Sequence, residues 1–329
     1  MDETCILLAT YQGKPFLKEQ LDSLLRQSDA SWRLLWRDDG STDSTRAILE
    51  DFVARAGATR VQSSGRRDQR LGALGSFMAL LAEAPADAAR FAFCDQDDVW
   101  LPGKLARAAT AFAAVPADRP ALYCSRQHLV DTALRPVGLS PLPVRQPAFG
   151  NALVQNIATG CTVVLNAAAR RVVLAAPPPP RSSMHDWWCY LVITGIGGRV
   201  IFDPEPQILY RQHSGNAVGA AAGVATRARR ALRRGASAFL RTMAAHLDVL
   251  ANFDALTPVS RKMITTLCAM RDAGPWRRLQ LLRRAGVYRQ GFLENALLHL
   301  WIAQQPLPVA RSSPSIPVLP DELFGSNRA

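Results

Sequence analysis

At 329 residues, with 48% apolar and 20% charged side chains, the chain has enough apolar material for one large α/β domain plus an appendage, which excludes a disordered or low-complexity protein. Its cysteines (Cys5, Cys94, Cys124, Cys161, Cys189, Cys268) are scattered without a Cys-x-x-Cys spacing, which argues for buried reduced thiols and against a zinc or disulfide framework. The formal charge of +12 is uneven: residues 226–311 carry 15 Lys/Arg against 4 Asp/Glu, and the remainder is close to neutral.

Through Cys124, short apolar runs alternate with helical patterns, the signature of a βαβ-built parallel sheet. The predicted strands are Cys5–Thr10, Arg33–Arg37, Thr59–Ser63, Phe91–Cys94 and Ala121–Cys124. The predicted helices are Pro15–Gln27, Ser44–Ala56, Gly72–Glu83 and Pro102–Val115, with Pro15 and Pro102 suited to a first turn and Ser41 or Asp43 to an N-cap. From Leu134 to Ser214 the pattern is mixed. It runs through a Pro-rich loop (Pro136, Pro141, Pro143, Pro147), a helix–strand–helix pattern over Asn151–Ala176 and a breaker at Pro177–Pro180. A helical stretch from Asp186 and strands around Arg199–Phe202 and Gln207–Arg211 follow. Beyond Gly223 the chain turns helical and basic, and from Gln305 it is Pro/Ser-rich and expected to be loose.

An α/β sheet of this kind binds ligands beyond the carboxyl ends of its strands, so the polar residues after each apolar run are the ones to weigh. Asp38-Asp39-Gly40-Ser41-Thr42-Asp43 follows the second strand, where a carboxylate can accept from a ribose hydroxyl or base N–H; a capped turn is the plain alternative. Asp95-Gln96-Asp97-Asp98 follows the fourth strand. Three carboxylates in four residues need a solvated loop or a bound cation, and magnesium or manganese bridge such oxygens to phosphates. His185-Asp186 heads the apolar run Trp187-Trp188-Cys189-Tyr190-Leu191, as an N-cap or as a general base. Arg211-Gln212-His213-Ser214-Gly215-Asn216 closes the last strand, with His213 a candidate metal or diphosphate contact.

Together with Ala9-Thr10-Tyr11-Gln12-Gly13 and Thr159-Gly160-Cys161-Thr162, these motifs stand in an order that resembles the family 2 glycosyltransferases of GT-A fold, especially the bacterial rhamnosyltransferase-like branch. The resemblance covers about the first two-thirds of the chain and implies a mostly parallel central sheet flanked by helices. It implies residues 1–222 as the transferase domain, with a nucleotide-binding half (1–125) and an acceptor half (126–222), then a basic helical region (223–304) and a flexible tail (305–329). It further implies inverting transfer of a sugar, rhamnose at the level of the branch, from a nucleotide-sugar donor to a carbohydrate or lipid-linked acceptor in cell-surface polysaccharide synthesis. A divalent cation, Mn2+ or Mg2+, assists.

By resemblance, Thr10 and Tyr11 lie along the base, Asp38 or Asp39 holds the nucleoside, and Asp95 is near the ribose. Asp97 or Asp98 faces the cation, His213 closes over the metal-diphosphate, and Asp186 is the base. Gly160, Cys161, His185, Trp187 and Trp188 fall on the acceptor side. One departure is Ser76 within Gly72-Ala73-Leu74-Gly75-Ser76-Phe77, where the family commonly has Asn. Arg66, Arg67 and Arg70 just before it read as a solvated loop, with a diphosphate contact as the alternative.

The basic third interleaves Arg227, Arg229, Arg230, Arg233 and Arg234 with Ala and Leu, and Arg277, Arg278, Arg283, Arg284 and Arg289 with Trp276, Leu279 and Phe292. Such helices lie on an anionic membrane surface or form a helical subdomain with solvated arginines. Two rival functions are a sugar-1-phosphate nucleotidyltransferase, disfavoured by the single glycine after the first strand, and a nucleic-acid-binding protein, disfavoured by acidic clusters and the lack of a reader motif. No window approaches the ~18 apolar residues of a spanning helix, and the acidic start lacks a secretory n-region. The expected location is cytoplasmic, peripheral on the inner face of the membrane if the basic helices bind it.

Overall fold

The computed structural model describes residues 2–65, 69–213 and 235–309. Arg66, Arg67, the Ser214-Gly215-Asn216 end of the last motif, the basic cluster from Arg227 to Arg234 and the tail beyond Val309 lie outside the described residues.

Seven strands form the central sheet: β1 (Thr4–Thr10), β2 (Trp32–Asp38), β3 (Val61–Ser63), β4 (Arg90–Cys94), β6 (Ala121–Ser125), β9 (Val164–Asn166) and β10 (Arg199–Asp203). Their order is β10-β6-β9-β4-β1-β2-β3. All neighbours pair in parallel except β9, which is antiparallel to both β4 and β6. A second sheet, in the order β5-β11-β7-β8, joins β5 (Val99–Trp100), β7 (His128–Val130), β8 (Pro136–Leu139) and β11 (Ile208–Arg211). The proline-rich loop expected after Leu134 is therefore partly a strand. Pro136 is accommodated because β8 is an edge strand and Pro136 is its first residue, where no ladder donor is needed.

Both faces of the main sheet are buried, and the period of two along each strand divides the core. Cys5 and Leu7 of β1 and Phe91 and Phe93 of β4 point into one cluster, while Ile6, Leu8, Ala92 and Cys94 point into the other. The second cluster is covered by α1 (Leu17–Leu25), α2 (Thr45–Ala56) and α4 (Lys104–Ala113). The first is covered by α3 (Gly72–Glu83), the short α5 (Phe149–Ala152), α6 (Ala167–Ala175) and α7 (His185–Gly195).

The C-terminal helices are α8 (Ala236–Leu250), α9 (Pro258–Cys268), α10 (Pro275–Ala285) and α11 (Phe292–Gln304). α8 presents Leu240, Met243, Ala244, Leu247 and Leu250 on one face at helical spacing. These helices enter the same cluster as the sheet residues and α7. Leu307 is 2% exposed and joins that core, so the chain is still anchored beyond Gln305, where the loose tail was expected to begin. Part of the basic charge serves the interior: Arg278 is buried and donates to Ala303 O at 2.7 Å, and Arg271 pairs with Asp248.

The helices after Pro15 and Pro102 start two residues later than expected, at Leu17 and Lys104. The clearest cap is Asn166, between β9 and α6. Its Oδ1 accepts from Ala169 N (2.8 Å) and Ala121 N (3.0 Å), and its Nδ2 donates to Arg119 O (2.8 Å). One side chain thus caps a helix and ties the antiparallel strand to its neighbour. Asn166→Ala is expected to lower unfolding free energy by about 2–3 kcal/mol, read from urea denaturation, because a cap, a buried hydrogen bond to Ala121 and a part-buried one to Arg119 are lost.

Candidate functional site

The carboxyl ends of β1, β2 and β4 lie side by side, and the loops after them are stitched together by the residues their motifs share. Thr10 Oγ1 donates to Asp38 Oδ1 (3.0 Å), Gln12 N to Ser41 Oγ (2.8 Å), Gly13 N to Thr45 Oγ1 (2.8 Å) and Lys14 N to Asp43 Oδ2 (3.1 Å). Gln12 adopts a left-handed backbone (φ 52°), and its side-chain amide donates to Thr42 Oγ1 at 2.9 Å.

Asp38 is buried and also accepts from Ser41 N (2.9 Å), Ser41 Oγ (2.5 Å) and Arg46 Nε (3.2 Å). Burial alone would raise its pKa, but the bonds from Ser41, Arg46 and Thr10 outweigh it and hold the carboxyl below the usual range. Asp39 is equally committed, to Arg37 Nη1 (2.6 Å), Leu71 N (2.7 Å), Gly72 N (2.9 Å) and Ser76 Oγ (3.4 Å). Ser76, where the family commonly carries Asn, therefore still reaches this carboxylate. The oxygens of the two residues expected to hold the nucleoside are thus already engaged by protein donors. Tyr11 remains 43% exposed, and the guanidinium of Arg70, itself exposed as a solvated loop residue, stacks 4.4 Å over its ring.

Gln96 latches the acidic loop to β1: its Oε1 accepts from Tyr11 N and its Nε2 donates to Tyr11 O, both at 2.8 Å. A Cβ on Gly13 would lie 2.5 Å from Gln96 Oε1, so glycine is what lets the latch close. The three carboxylates then diverge. Asp98 is 1% exposed and faces inward, accepting from Arg211 N (3.1 Å) and from the Cys161 thiol. Its pKa is pushed up to about 7 by burial and by Asp97. Asp97 faces outward, its Oδ2 2.8 Å from His213 Nε2. Asp95 is driven well above the usual range by burial and by the charges of Asp97, Asp98 and Asp186.

The second sheet brings these groups together. Pairing of Ile208 with Trp100 and of Leu209 with Val99 carries Arg211 and His213 across the acidic loop. The Arg211 guanidinium, 1% exposed, donates to Asp97 O (2.8 Å), to Thr132 O and to Glu19, and packs 4.5 Å over Phe16. Beneath the loop, Lys104 is fully buried, 4.2 Å over the Trp100 ring, with its pKa lowered to about 8 by burial against the pull of Cys161, Cys94 and Asp98.

As to a cation, Asp95, Asp98 and Cys161 bring one ligand atom each within 4.8 Å of one another. Burial and the charges of Asp98 and Asp95 push the Cys161 thiol well above its usual range. The oxygen donors of that group that suit a hard cation are Asp95 and Asp98, while Asp97 pairs with His213.

Asp186 stands in the first turn of α7, 7% exposed, where its charge reaches Asp95. It accepts from Trp187 N (2.6 Å), the Asn156 side chain and Gly160 N, yet burial dominates and pushes its pKa up to about 6. A Cβ on Gly160 would lie 2.8 Å from His185 Nε2 and 3.5 Å from Asp186 Oδ2, so only glycine permits this approach.

Of the expected acceptor contacts, Cys161, His185 and Trp188 are sealed from the cleft, at 0%, 3% and 0% exposure. His185 is sandwiched on Phe77 (4.0 Å) and against Phe93 (4.7 Å), with its pKa down to about 3 by burial, so it supports the site as a neutral ring. Trp187 is half-buried, donating to Ala152 O at 2.7 Å and meeting His246 of α8 edge-on at 4.9 Å.

The model of the family described as "Glycosyl transferase family 2" matches residues 5–171. The chain belongs to glycosyltransferase family 2. It is similar to dTDP-rhamnosyl transferase RfbG of Shigella flexneri, 27% identical over 226 residues that span 65% of this chain and 74% of the relative. An uncharacterized glycosyltransferase of Nostoc sp. is 30% identical over 107 residues, 32% of each chain. Among solved structures, Staphylococcus aureus TarS with UDP-GlcNAc superposes with a TM-score of 0.56 at 16% identity, covering 86% of this chain and 74% of that one. The mannosyltransferase PcManGT of Pyrobaculum calidifontis, with GDP-Man and Mn2+, gives 0.51 at 17% identity, covering 92% and 80%. This family 2 chain is a glycosyltransferase with the GT-A fold, which displaces both rival functions.

Sequence reasoning passed over Gln96, Arg211, Lys104 and Asn156. The first two lay inside quoted motifs, and their signal was a polar or cationic residue that a strand end could fold back on its neighbour. Gln96→Ala is expected to raise the apparent KM for the donor about tenfold with little loss of Tm, because two hydrogen bonds positioning the acidic loop are removed. Donor titrations in initial-rate assays alongside thermal melts check this.

Proposed function

We propose that this family 2 enzyme moves a sugar, rhamnose from a dTDP-linked donor, onto a carbohydrate or lipid-linked acceptor with inversion, working at the cytoplasmic face of an anionic membrane during cell-surface polysaccharide synthesis. The observation that carries the transfer chemistry is a pair of carboxylates whose charges both reach Asp95: Asp97 beside His213, and Asp186, which burial raises to about 6. The sugar and nucleotide rest on the likeness to RfbG, a dTDP-rhamnosyl transferase by name. The cation rests on the acidic loop and on PcManGT, which holds GDP-Man and Mn2+.

In this reading Tyr11 and Arg70 border the base, Thr10 with Asp38 and Asp39 shapes the nucleoside pocket, and Asp95 faces the ribose. Asp97 and His213 hold Mn2+ or Mg2+, with Asp98 positioning the loop from inside. When bound, the cation supplies Lewis-acid stabilisation of the departing diphosphate. Asp186 accepts the proton of the acceptor hydroxyl as that oxygen bonds to the anomeric carbon and the bond from that carbon to the diphosphate oxygen breaks; the nucleoside diphosphate leaves from the opposite face. Trp187 borders the acceptor, and His185, Trp188 and Cys161 fix the wall behind it.

Thermal shift with dTDP-, UDP- and GDP-sugars, each with Mn2+, Mg2+ or chelator, tests the donor side. The expected result is a metal-dependent rise with the dTDP donor that Asp97→Ala abolishes; a rise with another nucleotide only would overturn the donor assignment, and no rise with any would overturn the nucleotide site.

Asp186→Asn is expected to lower kcat by about 10²–10⁴-fold while leaving donor binding intact. Since the base works ionised, kcat/KM should climb with pH up to about 6 and level above it. A flat profile through that range, or an unchanged kcat in the Asn variant, would remove Asp186 from the chemistry.

A further inference from the structure

The described C-terminal helices end in an antiparallel hairpin, since Arg278 near the start of α10 donates to Ala303 at the end of α11. Its inner side is fixed in the core by Leu281, Leu282, Ala285, Leu298 and Ile302. Its outer side is unusual. α10 exposes Trp276 (82%) together with Arg277, Arg283 and Arg284, and carries no acid. α11 exposes Phe292 (86%), Leu293 (58%) and Leu300 (51%), with exposed Ala296 between them. This is a charge-free stripe at helical spacing.

Large apolar side chains left in water on two adjoining helices mark a partner surface. The charge selects the partner: from Pro275 to Gln304 there are five arginines and one acid, and that acid, Glu294, already accepts from Gln155 Nε2 at 3.0 Å. Trp, Phe and Leu beside the exposed guanidinium groups of Arg277, Arg283 and Arg284, which meet no carboxylate among the described residues, match a lipid headgroup region, with rings in the interface and arginines against anionic headgroups. No helix among the described residues is long and apolar enough to cross a membrane, so the face would lie on the surface.

We propose that the outer face of the α10–α11 hairpin docks the enzyme on an anionic lipid surface, an inference that gives a place to the membrane-linked acceptor in the reading above and rests on it for its purpose. The face lies on helices that contribute none of the donor-site or base residues, so docking and transfer can be separated.

The test is sedimentation of the full chain with phosphatidylcholine vesicles containing about one-third phosphatidylglycerol, and with pure phosphatidylcholine, at low and high salt. Two variants accompany it: Trp276→Ser/Phe292→Ser/Leu293→Ser, and Arg277→Gln/Arg283→Gln/Arg284→Gln. The expected outcome is salt-sensitive pelleting with the anionic vesicles only, reduced at least about fivefold in each variant, with unchanged melting and donor-induced thermal shift. No pelleting, or pelleting that both variants leave unchanged, overturns the proposal. So does a concentration-dependent dimer that the serine variant dissolves without any vesicle binding, which would assign the face to a second copy. Asp97→Ala should still pellet, so failure of the donor reading and failure of the docking face are told apart.

Discussion

Carboxylates gathered at the end of a buried sheet repel one another, and the site is organised around how that repulsion is met. Asp95 has Asp97, Asp98 and Asp186 close enough to drive its proton affinity upward. The protein answers with fixed donors and cations on the inner side, where Arg211, the Cys161 thiol and the buried Lys104 stand near Asp98. On the outer side His213 stands 2.8 Å from Asp97.

The loops that carry these groups are held by each other. Thr10, Gln12 and Gly13 bond to the loop after β2, Gln96 bonds back to Tyr11, and β11 pairs with β5 directly behind the acidic turn. Loop backbone so constrained gives positions that need little rearrangement when a substrate arrives, which is the physical meaning of a preorganised site. The motif residues divide accordingly, some for contact and some for the geometry of those that make contact.

That division explains what could be read in the sequence. The strands before Asp38 and Asp95 were legible because buried parallel strands leave uninterrupted apolar runs, and the acidic turns after them were legible because charge in such a place needs a reason. The second sheet was not: β5 is two residues long, and β8 begins at Pro136 in a stretch whose composition reads as loop. Nor does a one-dimensional pattern say which way a side chain turns. Asp97 and Asp98 are neighbours of identical chemistry, and only the pairing of β11 with β5 makes one face His213 and the other face Cys161. His185 and Trp188 likewise stand beside Asp186 in the chain yet point into the core.

The contact of His246 with Trp187, and of α8 with the core behind α7, has a bearing on how this enzyme can diversify. The region matching the family ends at residue 171, but the packing behind Trp187 and Asp186 is completed by helices that begin at Ala236. The C-terminal segment is thus no exchangeable accessory. A graft that swapped it for another would also re-seat Trp187 next to Asp186, so changes in the C-terminal helices and in the start of α7 are physically bound to be inherited together.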